Sequence, residues 1–318
     1  MDAHVAVVYS PEYLVDLWGL QRLHSFDVNK YRRIRLRLEQ DGLLGETDIH
    51  RPAEATRDDL LLVHTPGHLE RLKESHNVGQ YLEVPLMAAL PARVVDARVL
   101  KPFRFATGGT ILAGRLALRH GLAVNIGGGF HHAKPDLGEG FNVYADISIA
   151  VRRLRSERLI GRAAVVDLDV HQGNGTATVF AADPAVFTFS MHEGDIFPIP
   201  KARSSLDVEL PPGADDATCL GLLRRHLPAV LDASRPDIVF FQAGCDTLAG
   251  DPLANLAMSR EGIVERDATV IDECVRRRIP LAMTLGGGYA RDSWLVQFAS
   301  IRRTIQTYGL ARPTPQPG

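Results

Sequence analysis

Six runs of continuous apolar residues, many of them β-branched, punctuate the chain: HVAVVYS (4–10), GLAVNI (121–126), AAVVDLDV (163–170), AVFTFS (185–190), DIVFFQAG (237–244) and PLAMTL (280–285). A strand with one wet face alternates apolar with polar side chains, whereas unbroken runs describe strands covered on both faces. Between them lie segments with helical spacing: DVNKYRRIRLRLEQ (27–40), GTILAGRLALRH (109–120), TCLGLLRRHLPAVLDA (218–233), EGIVERDATVIDECVRR (261–277) and RDSWLVQFASIRRTI (291–305). The alternation predicts an α/β fold with one mostly parallel sheet flanked by helices on both faces. Residues 43–105 have weaker periodicity and several prolines, which predicts loops and short helices. A chain of 318 residues fits one large α/β domain or two average ones. With no internal repeat or low-complexity tract, we read a single domain over 1–310. The tail ARPTPQPG (311–318) is expected to be disordered, because closely spaced prolines oppose both helix and ladder bonding.

Composition narrows the function. The formal net charge is −2 and no dense Lys/Arg block is visible, so direct binding to nucleic acid is not expected. Cys219, Cys245 and Cys274 are far apart and form no CxxC pair, which argues against a disulfide framework and a zinc knuckle. The stretch MDAHVAVVYSPEY lacks a basic region followed by an apolar one, and no run approaches the ~20 apolar residues of a membrane span. We expect a cytoplasmic protein; short length, a pI near 6.6 and the lack of a basic tail suit a bacterial one.

Four of the predicted strands end in polar or glycine clusters: Gly127-Gly128-Gly129-Phe130-His131-His132, then Asp167, Asp169 and His171, then Cys245-Asp246, and finally Gly286-Gly287-Gly288-Tyr289. In an open parallel sheet the carboxyl ends of the strands share one edge, where ligands bind. Asp169 and His171, two residues apart in DLDVHQGNG, are expected to face the same way. With Asp246 they make one imidazole and two carboxylates, a set that holds Zn²⁺ with its shell open for water and substrate, and that also admits Fe²⁺. His131 and His132 are then free to handle protons, a contribution of roughly 10²–10⁴ in rate. Asp167 is expected to point away from Asp169 and to orient one imidazole N–H, and Asn174 to orient the other ring without adding charge. Either short motif alone is more often a turn or a structural pair; neither glycine triplet continues into a P-loop, and it is the convergence of four strand ends that carries the reading.

The motifs GGGFHHA (127–133), GFNVYADI (140–147), VDLDVHQGNGT (166–176), QAGCDTLAGDPL (242–253) and TLGGGY (284–289), in this order, resemble the zinc-dependent histone deacetylases and related deacylases of the arginase/deacetylase fold. HSFDVNKY (24–31), VHTPGHLERL (63–72) and RFATGGTILAGRLAL (104–118) are similar to class IV members, and the resemblance spans roughly residues 4–305. It implies that Asp169, His171 and Asp246 bind zinc, that His132 is general base and then general acid, that His131 supports the transition state, and that Tyr289 donates its hydroxyl to the oxyanion. It also implies a structural potassium at Asp167, Asp169, His171, Ser190 and Met191, and a second cation around Phe180, Asp183 and Val186. Gly140, Phe141 and Phe197 resemble the narrow tunnel that grips an acyl-lysine, although both phenylalanines equally fit core aromatics. The family's class I pattern has an aspartate at Asn174; an amide leaves His132 neutral more readily.

The reading that results is a metal-dependent amidohydrolase that frees an acyl group from an amine, foremost the ε-amine of a protein lysine, with class IV resemblance implying acyl chains longer than acetyl. Acetylpolyamines are the rival substrate, and carboxylates at the entrance would mark them; segment 77–103 offers only Glu83 and Asp96. A silent acyl-lysine reader would have lost a ligand or the tyrosine, and a two-metal arginase would need a second ligand set. The sequence carries no sign of either. It says nothing of the oligomeric state.

Overall fold

The computed structural model describes residues 3–19 and 24–311. All six predicted strands are present: β1 (His4–Val8), β3 (Gly121–Asn125), β4 (Ala163–Asp167), β5 (Val186–Glu193), β7 (Ile238–Gln242) and β8 (Leu281–Thr284). Two more join them, β2 (Ile49–His50) and β6 (Leu206–Leu210). They form one parallel eight-stranded sheet in the order β2-β1-β3-β8-β7-β4-β5-β6. Both unforeseen strands are edges. β2 is two residues long, and β6 reads LDVEL, an alternation with Asp207 and Glu209 that lacks a continuous apolar run.

Alternate residues of the central strands feed two cores. Val5 and Val7 of β1, Leu122 and Val124 of β3, and Val239 and Phe241 of β7 pack on one face with Ile34, Leu223, Ile263 and Ile301. Those residues belong to the helices Lys30–Gln40, Asp216–Ser234, Arg260–Arg276 and Ser293–Tyr308. Ala6, Val8, Ala123, Ile238 and Phe240 point to the other face, where Ile111, Leu116, Val151 and Leu154 cover them from the helices Lys101–His120 and Asp146–Ser156. Full burial of both faces is why the strand segments carry no polar alternation. The helix expected over 109–120 begins at Lys101, so Gly108 and Gly109, which look like a break in sequence, lie inside it. The helices Asp146–Ser156 and Asn174–Phe180 were not anticipated; residues 43–100 do hold short helices, among them Arg57–Leu60, Pro66–Arg71 and Ser75–Tyr81. No helix among the described residues is long and apolar enough to cross a membrane.

Of the expected tail, 312–318 lie outside the described residues; Ala311 is buried and its N–H donates to Val5 O at 2.9 Å. The sheet order places β3, β8, β7 and β4 side by side at its centre, so their carboxyl-terminal loops meet.

Candidate active site and metal centre

β4 stops at Asp167, three residues short of the expected run, so Asp169 and His171 stand in the loop beyond it. They face Asp246, beyond the end of β7, with one ligand atom of each within 4.8 Å of the others and all three residues buried. His171 Nδ1 lies 3.2 Å from Asp169 Oδ1 and 3.3 Å from Asp246 Oδ2. Backbone N–H groups fix the other carboxylate oxygens: Gly287 donates to Asp169 Oδ2 and Val170 to Asp246 Oδ1, each at 2.9 Å. Asp246 Oδ2 is buried and accepts no hydrogen bond. A buried, orphaned carboxylate oxygen costs free energy unless something positive meets it.

The charges agree. Burial opposes a charged imidazole, yet the hydrogen bond to Asp169 and the facing Asp246 raise His171 to about 10, while burial and Asp169 push Asp246 up to about 7. Once His171 gives up its proton, one imidazole nitrogen and two carboxylates remain, a donor set that fits Zn²⁺ and also Fe²⁺, whose charge would take the place of that proton. Space is tight around them, since a Cβ on Gly287 would stand 2.1 Å from Asp246 Oδ2.

The two histidine rings lie 4.0 Å apart between centroids, tilted by 50°, and have different neighbours. His131 Nδ1 bonds Asp167 Oδ2 at 2.7 Å, and its Nε2 lies 3.7 Å from Asp169 Oδ1. Asp167 was expected to turn away from Asp169; the two carboxylates instead flank one imidazole, Asp167 at Nδ1 and Asp169 at Nε2, because the chain leaves the strand after Asp167. Burial would lower His131, but Asp167 and Asp169 outweigh it and raise it to about 9. His132 Nδ1 meets Asn174 Oδ1 at 2.8 Å, and Asn174 Nδ2 donates to Glu139 Oε1 at 2.5 Å. The amide therefore presents its oxygen to His132, which puts the ring proton on Nδ1 and leaves Nε2 as a lone pair. Burial, then the neighbouring His131 and His171, hold His132 well below the usual imidazole value.

Around this centre lies a narrow cavity of about 30 Å³, lined in part by His131, His132, Gly140, Phe141 and Tyr289. Phe197 closes in at 5.0 Å from the His132 ring and 6.4 Å from His171, and is 40% exposed; it is a wall of the site, not a core aromatic. Tyr289 stands edge-on to His171 at 6.1 Å, and burial with the nearby carboxylates raises its phenol well above 10, so it remains a donor. Three contributors lie within the quoted motifs but have no role assigned to them there. Asp251 Oδ2 accepts the N–H groups of Tyr289 and Ala290 at 2.8 and 3.1 Å, fixing the tyrosine loop. The Lys30 ammonium, buried over the Phe26 ring, donates to Gly286 O at 2.6 Å. Asn142 Oδ1 accepts the His132 N–H at 2.8 Å.

The expected cation positions are also neighbours. Asp167 of β4 is the register partner of Ser190 of β5, with Met191 next along, although Ser190 Oγ is engaged with His192 Nδ1 at 2.9 Å. At the second position the Asp183 N–H bonds Phe180 O at 2.9 Å and the Val186 N–H bonds Asp183 O at 3.1 Å, while the Asp183 carboxylate pairs with Arg152 and Arg155.

Residues 24–303 match the family model described as the histone deacetylase domain. The chain is 38% identical over 315 residues to "Histone deacetylase 2" of Arabidopsis thaliana, covering 98% of this chain and 81% of that one. It is 40% identical over 289 residues to an uncharacterized protein of Picosynechococcus sp., covering 90% and 92%. Among solved structures, the crystal structure of the HDA15 HD domain superposes with a TM-score of 0.75 at 20% identity, over 96% of this chain and 92% of that one, a likeness of fold.

Proposed function

The chain belongs to the histone deacetylase family, and from that premise we propose that this member is a zinc-dependent deacylase of lysine ε-amines in proteins. Amide hydrolysis needs a base that is neutral, a donor for the oxyanion and an electrophilic centre between them. The observation that carries the reading is that His131, His132 and Tyr289 line one narrow cavity, while His171 of the Asp169–His171–Asp246 set stands edge-on to both the His132 ring at 5.9 Å and the Tyr289 ring at 6.1 Å. Zn²⁺ held by Asp169, His171 and Asp246 supplies Lewis acidity to the acyl carbonyl and to water. His132 Nε2 takes the proton of the attacking water and hands it to the departing amine nitrogen, while its Nδ1–H stays on Asn174. His131, held charged by Asp167, stabilises negative charge that develops beside it, and Tyr289 donates its O–H to the oxyanion. Phe141 and Phe197 flank the aliphatic stem of the lysine. Potassium at Asp167, Ser190 and Met191 is part of the same reading.

A second cavity, about 580 Å³ and lined by Val15, Val28, Met87, Leu90 and other apolar groups, shares Phe26, Phe103 and Phe141 with the first. It supports acyl chains longer than acetyl. Against polyamines stands the entrance itself: Asp96 is tied to Arg104 at 2.8 Å, leaving Glu83 at the rim of an apolar space. Lysine peptides and polyamines carrying acetyl to myristoyl groups, assayed with and without chelator, test the proposal. Chelator-sensitive cleavage of acyl-lysine, faster for longer chains, is expected; cleavage of acylpolyamines alone refutes the lysine assignment.

A further inference from the structure

Among the described residues, the largest side chain with no solvent exposure is Arg266, on the helix Arg260–Arg276 and outside every motif of the site. Its guanidinium reaches both loops that carry the metal ligands. Nη1 donates to Leu168 O at 2.9 Å and to Thr247 Oγ1 at 3.1 Å; Nη2 donates to Gly244 O at 2.8 Å. Leu168 immediately precedes Asp169, and Gly244 and Thr247 flank Cys245 and Asp246. The charge is balanced by Asp267, whose Oδ1 accepts from Nη2 at 2.7 Å and Nε at 3.0 Å and whose Oδ2 accepts from Ser300 Oγ at 2.7 Å on the helix Ser293–Tyr308.

A buried ion pair is a poor device for stability, because apolar side chains of the same volume commonly do as well or better. What an apolar pair cannot do is hold two carbonyl oxygens of different loops at fixed positions. A planar fork of donors can, and an ammonium cannot span the same acceptors. The loops have no slack: a Cβ on Gly244 would stand 2.1 Å from Asp169 Oδ2, so a change in their spacing acts directly on the ligand carboxylates.

We propose that Arg266 is a positioning residue of the metal centre, which fixes the separation of Asp169 and Asp246 by holding the carbonyls of Leu168 and Gly244 on one guanidinium. The proposal rests on the metal-site reading above, and its test reads metal binding before activity. Two variants are compared with the full-length wild type: Arg266→Lys, which keeps the charge, and Arg266→Met combined with Asp267→Asn, which leaves no unpaired buried carboxylate. The measurements are Zn²⁺ affinity by chelator competition, the visible spectrum of the Co²⁺-loaded protein, and the melting temperature of the metal-free form. Groups that orient metal ligands typically contribute about 10–100-fold to affinity. We expect losses of that size in both variants and an altered Co²⁺ spectrum, with the metal-free double variant melting close to wild type. A folded double variant with wild-type Zn²⁺ affinity and Co²⁺ spectrum overturns the proposal. So does failure of both variants to fold, which would make Arg266 a support of the fold. Wild-type protein that binds no Zn²⁺ sinks the metal site itself, a different result from wild-type and variant binding alike.

Discussion

Replacing Gly140 by alanine tests whether the tunnel wall and the base are one mechanical unit. Gly140 has φ +55°, and a Cβ there would stand 2.5 Å from His132 Cδ2 and 3.0 Å from Phe197 Cε1. Ordinary carbon contacts begin near 3.5 Å, so relief needs a displacement of about 1 Å. Phe197, 40% exposed, can yield its few tenths. His132 cannot yield freely, because Asn174 holds its Nδ1 at 2.8 Å and Asn142 its N–H at 2.8 Å. The left-handed backbone adds about 1–2 kcal/mol of strain for a residue with a Cβ, a substantial loss that still lies within the roughly 5–15 kcal/mol that keeps a domain folded. Misplacing a catalytic group by ~1 Å costs on the order of 10² in rate. Gly140→Ala should therefore fold, retain its zinc and lose about two orders of magnitude in kcat on an acylated lysine peptide. Steady-state kinetics, metal analysis and a melting curve on the same preparation decide it. A folded, zinc-loaded variant with kcat within twofold of wild type would show that the ring is not confined as described.

Tyr289→Phe removes a single donor and should lower kcat by about 2.7–4 kcal/mol of barrier, some 10²–10³-fold, with zinc content unchanged in the same preparation. In the proposed mechanism His132 acts as a base while neutral, and burial with the neighbouring His131 lowers its pKa, so the neutral form persists as pH falls. The acidic limb of kcat/KM should accordingly lie below pH 6.5, the usual imidazole value, and a limb above 7 measured in the pH profile would contradict the assignment. Zinc at 100 times its Kd should add ~2.7 kcal/mol, or roughly 4 °C in Tm for a chain of 318 residues, read by calorimetry with and without chelator. Asp246→Ala should bind little zinc and show almost none of that shift; full metal content and activity would withdraw Asp246 as a ligand.

The fold was legible where chemistry is periodic. Continuous apolar runs gave the central strands, since β3, β8, β7 and β4 are covered twice, and the polar residues that follow them gave the site. β6 escaped because an edge strand may carry Asp207 and Glu209, which look like loop residues. Asp251, Lys30 and Arg266 escaped for another reason: each acts through backbone atoms of distant residues, as when Lys30 reaches the carbonyl of Gly286, and a carbonyl has no letter in a sequence. Asp167 does hold an imidazole nitrogen as the sequence suggested, but its turning away from Asp169 was not realised, because β4 ends at Asp167 and the loop brings Asp169 round to the same ring.

The middle of the sheet joins segments translated far apart. Leu122 pairs with Leu281, and Leu281 in turn with Val239, so β3 has no neighbour on that side until β8 has left the ribosome. Closing such distant pairings is slow and leaves strand edges bare in the interval. The Asp169–His171–Asp246 pocket draws one of its supports, the Gly287 N–H on Asp169 Oδ2, from the far end of the chain, so its finished form has to wait until that residue has been translated.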